Sequence, residues 1–367
     1  MTPEELKYYI ALSFIPGVGD IIAKNIIAYV GSAEGIFNEK KHNLLKIPKV
    51  GQILAESITN ADTLKRAENE ILFIEKHAIK ALVFNEEHYP SRLKQCEDSP
   101  LVLYVKGNCS INAKKSIAIV GTRNATAGGK DICKQIVADL KAHNALIVSG
   151  LAYGIDICAH KNALENQLDT VAVLGHSLDT IYPADHRSIA KEISGHGALI
   201  TEHCSKTAIE KSNFVTRNRI IAGLTDATIV IESGEKGGAL ITVEYANAYN
   251  RDVFAIPGRI TDKYSIGCNN LVKTNKAALI SSVKDIEYAL NWHSNDVKKK
   301  EIQKSLFIEL TDDEKNILKI LSLEQEINID IISTRTKLPM NKVSAILLNL
   351  EFKGLVKSLP GKRFCLA

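Results

Sequence analysis

Three cations and one aromatic residue lie close together in a polar segment of the sequence. Lys211 and Arg217 stand three residues before and after Phe214, and Asn218 and Arg219 follow directly. Cationic side chains can follow a phosphate backbone while an aromatic ring stacks on a base, so this spacing favours contact with a nucleic acid strand. The alternative for the same residues is a solvated loop and helix face, with Phe214 in the core.

Three polar or glycine-rich turns could add phosphate contacts to this segment. Two of them follow predicted strands and the third opens a predicted helix; they comprise Gly121, Thr122 and Arg123, then Ser149 and Gly150, then Lys236, Gly237 and Gly238. Backbone amides at helix starts attract anions, and the planar guanidinium of Arg123 suits phosphate oxygens. The sequence therefore predicts an anion-binding edge formed by these turns.

The elements that would position these turns are nine short, β-branched runs between residues 81 and 282. They read ALVF, LVLYVKG, SIAIVG, ALIVSG, TVAVLG, ALIT, ATIVIES, DVFAIPG and AALISS, and helical patterns separate most of them. Such alternation predicts an α/β domain over residues 75–292, with a Rossmann-like, doubly wound, mostly parallel sheet. Ligands bind such sheets beyond the carboxyl ends of the strands, where the turns and the cationic segment are expected.

A repeat marks a separate N-terminal domain over residues 1–74. FIPGVGDIIAKNII at residues 14–27 is echoed by KIPKVGQILAESIT at residues 46–59. Each copy predicts a glycine turn followed by a helix, and the pair resembles a helix-hairpin-helix or SAM-like module. Such modules hold a DNA backbone or serve only in packing and partner contacts. Lys49 replaces Gly17 in the second copy, which predicts a turn of different shape.

The polar run at residues 293–305 predicts a linker to a third domain at residues 306–367. Thr311, with Glu314 three residues later, predicts a capped helix. Two more helices and a hairpin at Pro360-Gly361 complete a winged-helix pattern. The second of those helices, residues 341–353, is largely apolar, which favours a protein contact or a weak backbone contact over the reading of a DNA sequence.

Composition excludes several classes of protein. The net charge is only +4, so the charge of the whole molecule does not by itself indicate a polyanionic partner. The seven cysteines are isolated in the sequence, so no metal centre or disulfide framework is expected. SIAIVGTRNATAGG is not a dinucleotide fingerprint, and residues 128–131 do not form a phosphate-binding P-loop. His160 is expected to satisfy a helix partner. We therefore expect no cofactor, no metal, no membrane span and a cytoplasmic location.

Several motifs in fixed order resemble one family over nearly the whole chain. They are GTR at 121–123, SGLAYGID followed by His160, LGHSLDTIYP at 174–183, FxxRNRIIAGL at 214–224, KGGALIT at 236–242, RDVFAIPG at 251–258 and SIGCNNLVK at 265–273. Together they resemble the DNA-processing protein A family, DprA, also called Smf. Members commonly carry an N-terminal helix-hairpin-helix-like domain and often a C-terminal winged helix.

The resemblance implies a protein without catalysis that binds and protects single-stranded DNA. It also implies a homodimer formed through the Rossmann-like domain, with residues 268–280 near the dimer surface. The function implied is the loading of the RecA recombinase during natural transformation and homologous recombination. Arg123, Lys211 and Phe214 match the family's DNA-contacting pocket, and residues 217–219 line the same segment. Val215 and Cys204 replace prolines found in many members, which predicts a looser loop around Phe214.

Two other classes of protein stay open at this point. GGALITVE, ending at Glu244, resembles the glycine-rich motif of nucleoside-monophosphate phosphoribohydrolases, although Leu240 stands where that motif has its third glycine. A duplex-DNA regulator acting through the winged helix is the other alternative. It predicts tighter binding to a defined duplex than to a single strand.

Overall fold

The computed structural model describes residues 1–60, 62–292, 310–324 and 326–366. Within these ranges the chain forms a helical domain, an α/β domain and a winged-helix domain, in the predicted order. The predicted linker, residues 293–305, and residues 306–309 of the predicted third domain lie outside the described residues.

The N-terminal domain is helical and contains the predicted repeat. Its helices are α1 (Pro3–Ser13), α2 (Asp20–Val30), α3 (Ala33–Asn38), α4 (Lys41–Leu44), α5 (Gln52–Thr59) and α6 (Leu64–Lys76). Gly19 and Gly51 are the N-caps of α2 and α5. The matching alanine and isoleucine of each copy, at positions 23 and 26 and at positions 55 and 58, are buried. The repeat therefore supplies equivalent core positions to the two helices.

The two turns of the repeat have the same backbone handedness. Gly17 has a φ of +85° and Lys49 a φ of +69°, so both residues lie in the left-handed region. This conformation costs a residue with a Cβ about 1–2 kcal/mol. The different turn shape expected from Lys49 is therefore not seen at this residue.

The start of α2 packs against the α/β domain. The carboxylate of Asp20 accepts a hydrogen bond from the Leu101 amide at 2.8 Å and pairs with the Arg219 guanidinium at 2.9 Å. A helix-hairpin-helix would hold a phosphate at such a helix start, whereas here a carboxylate occupies it and disfavours an anion. The first copy of the repeat thus makes an interdomain contact.

The α/β domain places all nine predicted strands in one sheet. They are β1 (Lys80–Val83), β2 (Val102–Gly107), β3 (Ser116–Val120), β4 (Leu146–Ser149), β5 (Thr170–Val173), β6 (Ala198–Thr201), β7 (Ala227–Val230), β8 (Asp252–Ala255) and β9 (Ala278–Leu279). Their spatial order is β1-β2-β6-β5-β4-β3-β7-β8-β9, and neighbours from β6 to β9 run parallel. The predicted doubly wound, mostly parallel fold is confirmed.

Helices cover both faces of this sheet. They are α7 (Ser91–Lys94), α8 (Ala127–Leu140), α9 (Ile155–Glu165), α10 (Arg187–His196), α11 (Lys211–Thr216), α12 (Asn218–Gly223), α13 (Gly238–Ala248), α14 (Ile266–Lys273) and α15 (Val283–Ala289). Along β3, Ile117 and Ile119 join the hydrophobic cluster on one face, and Ala118 and Val120 join the cluster on the other. β3 is largely apolar because both of its faces are buried.

The order of the strands reverses at β3. After β3 the chain adds β4, β5 and β6 on one side, whereas β7, β8 and β9 fill the other side. The loops that leave β3 and β7 therefore diverge, and a crevice opens beyond the carboxyl ends of these two strands. In open α/β sheets this is where ligands bind.

The helical domain also supports the loop between β6 and α11. Cys204 is buried in a core shared with the helical domain, and its thiol lies 3.0 Å from the Tyr104 hydroxyl. The Glu70 carboxylate of α6 accepts hydrogen bonds from the amide and hydroxyl of Ser205, at 2.9 and 2.5 Å. The cysteine that was expected to loosen this loop is thus one of its fixed points.

The C-terminal domain has the predicted winged-helix arrangement. Its elements are α16 (Asp312–Leu321), β10 (Ile327–Asn328), α17 (Ile329–Thr336), α18 (Met340–Phe352), β11 (Val356–Leu359) and β12 (Arg363–Leu366). Thr311 and Glu314 form the predicted capping box. On and just after α18, Lys342 pairs with Asp313 and Lys353 with Glu314, each at 2.6 Å. Both lysines on and just after α18 therefore have acidic partners.

A buried arginine cluster joins the winged helix to the α/β domain. The Asp226 carboxylate, just before β7, accepts hydrogen bonds from Arg92 at 2.7 and 2.8 Å and from Arg363 of β12 at 3.0 Å. Arg251 lies in the same cluster, beside Gly361 of the winged-helix hairpin. All four charged side chains are buried. One carboxylate thus holds together residues from three distant parts of the chain.

In the ranges that the structure describes, no helix is long and apolar enough to cross a membrane.

Candidate functional site

A cavity of 750 Å³ lies at the crevice beyond β3 and β7. The turn after β3, the helices α11 and α12, and the turn between β7 and α13 form most of its wall. Ten of the predicted residues line it: Gly121, Thr122, Arg123, Lys211, Phe214, Arg217, Asn218, Lys236, Gly237 and Gly238. The fold therefore brings the cationic segment and two of the three turns to one place.

Three exposed cations surround the cavity. Arg123 follows β3, Lys211 is the first residue of α11, and Lys236 precedes the start of α13. In the part of the chain that the structure describes, none of them forms an ion pair, whereas Glu210 is an exposed acid in the same wall. With α13 starting at Gly238, the wall offers unpaired positive charge and the positive end of a helix, which together suit an anionic ligand.

Phe214 supplies an aromatic ring to the same cavity. Its side chain is half-buried, and its ring centroid lies 5.6 Å from that of Tyr182 and 6.2 Å from that of His176. The two neighbours hold the ring, while its remaining surface lines the cavity. Phe214 is thus neither a fully buried core residue nor a free one, and a planar ligand can stack on a ring so placed.

Arg217 faces the cavity but uses its guanidinium inside the protein. It donates hydrogen bonds to the Gly150 carbonyl at 2.6 Å and to the Val173 carbonyl, and it is 4% exposed. Burial lowers the pKa of Arg217 to about 10, and burial raises the pKa of neighbouring Asp156, whose carboxyl also lines the cavity. We assign Arg217 to the floor of the cavity, where it ties α12 to the ends of β4 and β5.

Asn218 also makes a structural contact at the cavity wall. Its side-chain amide donates to the Gly238 carbonyl at 3.1 Å, which links α12 to the start of α13. Asn218 therefore positions one glycine turn against the cationic segment.

Three predicted residues lie outside the cavity. The Ser149 hydroxyl is fully buried and donates to the Ile119 carbonyl at 2.6 Å. Gly150 makes room for Arg217, because a Cβ at Gly150 would lie only 2.5 Å from a guanidinium nitrogen. Arg219 is buried and pairs with Asp20 and Glu202. These residues are used in packing and interdomain contacts, and the fold does not bring them to the wall of the cavity.

His160 has a structural role, but its partner lies on a strand and not, as expected, on a helix. Thr170 donates its hydroxyl proton to the Ile147 carbonyl at 2.9 Å, so His160 must donate from Nδ1 to the Thr170 oxygen at 2.7 Å. Burial lowers the pKa of His160 to about 3, which keeps the imidazole neutral. The histidine thus ties α9 to β5 beneath the site.

Tyr182 and Asp156 line the cavity but were not predicted as site residues. Both lie inside motifs that the sequence singled out, LGHSLDTIYP and SGLAYGID. Their position in motifs that contain glycine turns at strand ends is the sequence signal that could have identified them as site residues. Their residue types alone did not separate a wall residue from a core residue.

Glu244, the residue of the hydrolase alternative, is not among the lining residues of the cavity. Its exposed carboxylate pairs with the Lys276 ammonium at 2.7 Å. In the described ranges, no group of three or more His, Cys, Asp or Glu side chains is placed to hold a metal ion.

The fold and the cavity define a class of protein. It is a Rossmann-like α/β protein with a cationic and aromatic crevice at the switch point of its sheet, flanked by a helical domain and a winged helix. Residues 80–291 match the family model described as DNA recombination-mediator protein A, and residues 307–362 match the DprA winged helix domain. The chain therefore belongs to the DNA recombination-mediator protein A family.

Individual relatives resemble almost the whole chain. Protein Smf of Synechocystis is 31% identical over 398 aligned residues, covering 99% of each chain. A putative DNA processing protein DprA of Mycobacterium tuberculosis is 30% identical and covers 86% of this chain and 84% of its own.

Two solved structures share the fold. DprA of Streptococcus pneumoniae, 31% identical, superposes with a TM-score of 0.63 over 78% of this chain and 98% of its own. DprA of Helicobacter pylori, 29% identical, has a TM-score of 0.52 over 57% of this chain and 94% of its own, and that structure is described by its single-stranded DNA binding mode.

Proposed function

We propose that this protein binds single-stranded DNA in the cavity and protects it. The observation that carries the proposal is a half-buried aromatic ring, Phe214, together with three cations around one crevice that form no ion pair among the described residues. Cations that follow a backbone, beside a ring on which a base stacks, are the usual means of binding single strands. The solved Helicobacter pylori relative, described by its single-stranded DNA binding mode, supports the same ligand.

A single strand fits this arrangement better than a duplex. A base can lie against Phe214 only after it leaves its stacked neighbours, which costs a few kcal/mol in a duplex and less in a single strand. The winged helix offers little support for duplex binding, because Lys342 on α18 and Lys353 just after it are both ion-paired. We therefore place the DNA-binding function in the α/β domain.

We extend the proposal to the loading of the RecA recombinase onto the bound strand, in natural transformation and recombination. This step rests on membership of the recombination-mediator family. A mediator has to hold the strand while the recombinase assembles on it, and a cavity beyond the carboxyl ends of β3 and β7 leaves most of the protein surface for that partner.

The same proposal includes a homodimer formed through the α/β domain. Its last strand, β9, forms one edge of the sheet, and Leu279 on it is 53% exposed. Ile266 at the start of α14 adds a second exposed apolar side chain. Leu279→Arg is expected to shift the mass measured in solution by light scattering from dimer to monomer. A monomeric wild type would contradict this part.

The cavity is tested by replacing its two best-placed cations. Arg123→Ala and Lys211→Ala are each expected to weaken binding of a labelled oligothymidine roughly ten- to hundredfold, because each removes a charge-assisted contact to phosphate. The salt dependence of binding should also flatten by about 0.7 in log–log slope for each lost contact. Fluorescence anisotropy at several salt concentrations, with a duplex competitor, measures both effects.

The control for these variants is Lys191→Ala. Lys191 lies on α10, is exposed and does not line the cavity. Lys191→Ala also removes one positive charge, but at a distance from the cavity, so it should leave the affinity and the salt slope near the wild-type values.

Arg123→Ala and Lys211→Ala should also fail to promote RecA filaments on strands coated with single-strand-binding protein. Wild-type affinity in both cavity variants would overturn the proposal.

A further inference from the structure

A second cavity, also of 750 Å³, adjoins the first. Arg123 and Asn124 line both cavities, so the two cavities adjoin at this turn. Most other lining residues of the second cavity come from α8, from the turn before α9 and from α9 itself, and they include Lys130, Tyr153, Gly154, Lys161 and Glu165. The proposed function does not use these residues.

The backbone fixes the second cavity relative to the first. Gly154 has a φ of +80°, and a Cβ on it would overlap the Thr122 carbonyl oxygen. The amide of Ile155 donates to the same carbonyl at 3.2 Å. The turn that carries Tyr153 is therefore pressed against the turn that carries Arg123, and their spacing does not depend on flexible side chains.

Tyr153 is an exposed aromatic residue that is held at both ends. Its side chain is 44% exposed, its hydroxyl donates to the Asp185 carboxylate at 2.8 Å, and its ring meets His186 edge-on at 4.8 Å. His186 is itself bonded to the Leu151 carbonyl at 2.8 Å. A ring ordered in this way loses little conformational entropy when a ligand stacks on it.

The charge of the second cavity is positive. Lys130 on α8 and Lys161 on α9 are exposed, and neither forms an ion pair in the described structure. With Arg123 they make three cations against one lining acid, Glu165. The pattern of an aromatic ring beside unpaired cations is the same as that around Phe214. The first cavity also has an exposed tyrosine, Tyr182, which is 48% exposed and whose ring centroid lies 5.6 Å from that of Phe214.

We propose that the second cavity is a further subsite for the same DNA strand. The strand leaves the first cavity past Arg123, places a base on Tyr153 and passes its phosphates between Lys130 and Lys161. The inference rests on the proposed function, because a strand must first occupy the cavity at Phe214. It adds a direction for the strand and a larger footprint on the protein.

The test compares a short and a long oligothymidine, of about 4 and about 16 nucleotides, the range of site sizes in single-strand-binding domains. Tyr153→Ala is expected to weaken binding of the long strand about tenfold and to leave the short strand unchanged. The double variant Lys130→Glu, Lys161→Glu should act in the same way and flatten the salt dependence for the long strand only.

Two control variants match Tyr153→Ala. Tyr153→Phe keeps the ring and loses only the bond to Asp185, so it should retain most of the affinity for the long strand. Tyr288→Ala removes an exposed tyrosine of α15 that lines neither cavity, and it should change neither affinity. Unchanged binding of the long strand in both Tyr153→Ala and the double lysine variant would overturn the second subsite.

The outcomes separate this inference from the proposed function. If Arg123→Ala weakens both strands while Tyr153→Ala weakens neither, the first cavity binds DNA and the second does not. If Tyr153→Ala weakens both strands equally, Tyr153 acts by supporting the first cavity, and the inference is also wrong. If wild type binds neither strand, the proposed function fails together with the inference.

Discussion

Replacement of Asp226 by asparagine is expected to destabilise the α/β domain by about 3–5 kcal/mol, because it removes a buried carboxylate charge that pairs with two buried arginines, Arg92 and Arg363. Both carboxylate oxygens are fully used: one accepts from Arg92 and Arg363, and the other accepts from Arg92 and the Ser116 amide. An asparagine would present a donor group to at least one of these donors. The contact that holds the winged helix should weaken at the same time.

The stability change can be followed by fluorescence during urea unfolding. Trp292 is the only tryptophan of the sequence and is buried in the α/β core, so its emission reports on this domain. The matched control is Asp252→Asn, at the start of the neighbouring strand. Burial and the charge of Asp226 raise the pKa of Asp252, and its side chain is in no ion pair of the described structure. The control should be neutral or slightly stabilising at pH 7, whereas an unchanged midpoint for Asp226→Asn would contradict the prediction.

Phe214→Ala is expected to weaken the binding of oligothymidine by about 1–3 kcal/mol, the usual contribution of one base stacked on an aromatic residue. The loss should be almost independent of salt, since no phosphate contact is removed. This separates Phe214 from Arg123 and Lys211, whose replacement changes the salt dependence. Isothermal titration or anisotropy at two ionic strengths measures the difference.

Two variants of Phe214 separate stacking from packing. Phe214→Leu keeps an apolar side chain against Tyr182 and His176 but has no aromatic face, so it should bind as weakly as Phe214→Ala while unfolding more like wild type. Phe214→Trp keeps a face and should retain the affinity. Full affinity in Phe214→Leu would show that the ring does not stack on a base.

The fold could be predicted largely from local patterns. The nine strands are short and apolar, and most of them are buried on both faces, so each is recognisable without its neighbours. The capping box at Thr311 and the repeated glycine turns are equally local signals. The position of the crevice follows from the strand order of the structure, because the loops after β3 and β7 diverge wherever the order of the strands reverses.

The roles of the arginines could not be predicted in the same way. Arg123 and Arg219 are the same residue type near the same predicted edge, yet Arg123 is exposed at the cavity while Arg219 pairs with Asp20, far away in the sequence. Arg217 is turned inward by the Gly150 and Val173 carbonyls. Residue type and spacing report that a charge is present, but the partner that neutralises it is set by the tertiary fold.

The contact between the winged helix and Asp226 could also not be predicted from the sequence. Arg363 lies 137 positions from Asp226, and no local pattern connects a hairpin strand with the residue before β7. The position of the turn that carries Tyr153 could not be predicted from the sequence either. Its glycine and tyrosine were visible in the sequence, but their contact with the Thr122 carbonyl depends on the packing of α9 against the turn after β3.

The shared support of the loop between β6 and α11 has a consequence for how such proteins diversify. Glu70 and Asp20 of the helical domain hold Ser205 and Arg219, which lie on either side of the segment carrying Lys211 and Phe214. Exchange of the N-terminal domain would remove both carboxylates, so a replacement domain would have to supply new partners for Ser205 and Arg219. The helical domain and this loop are therefore structurally coupled, and a substitution in one of them has to fit the other.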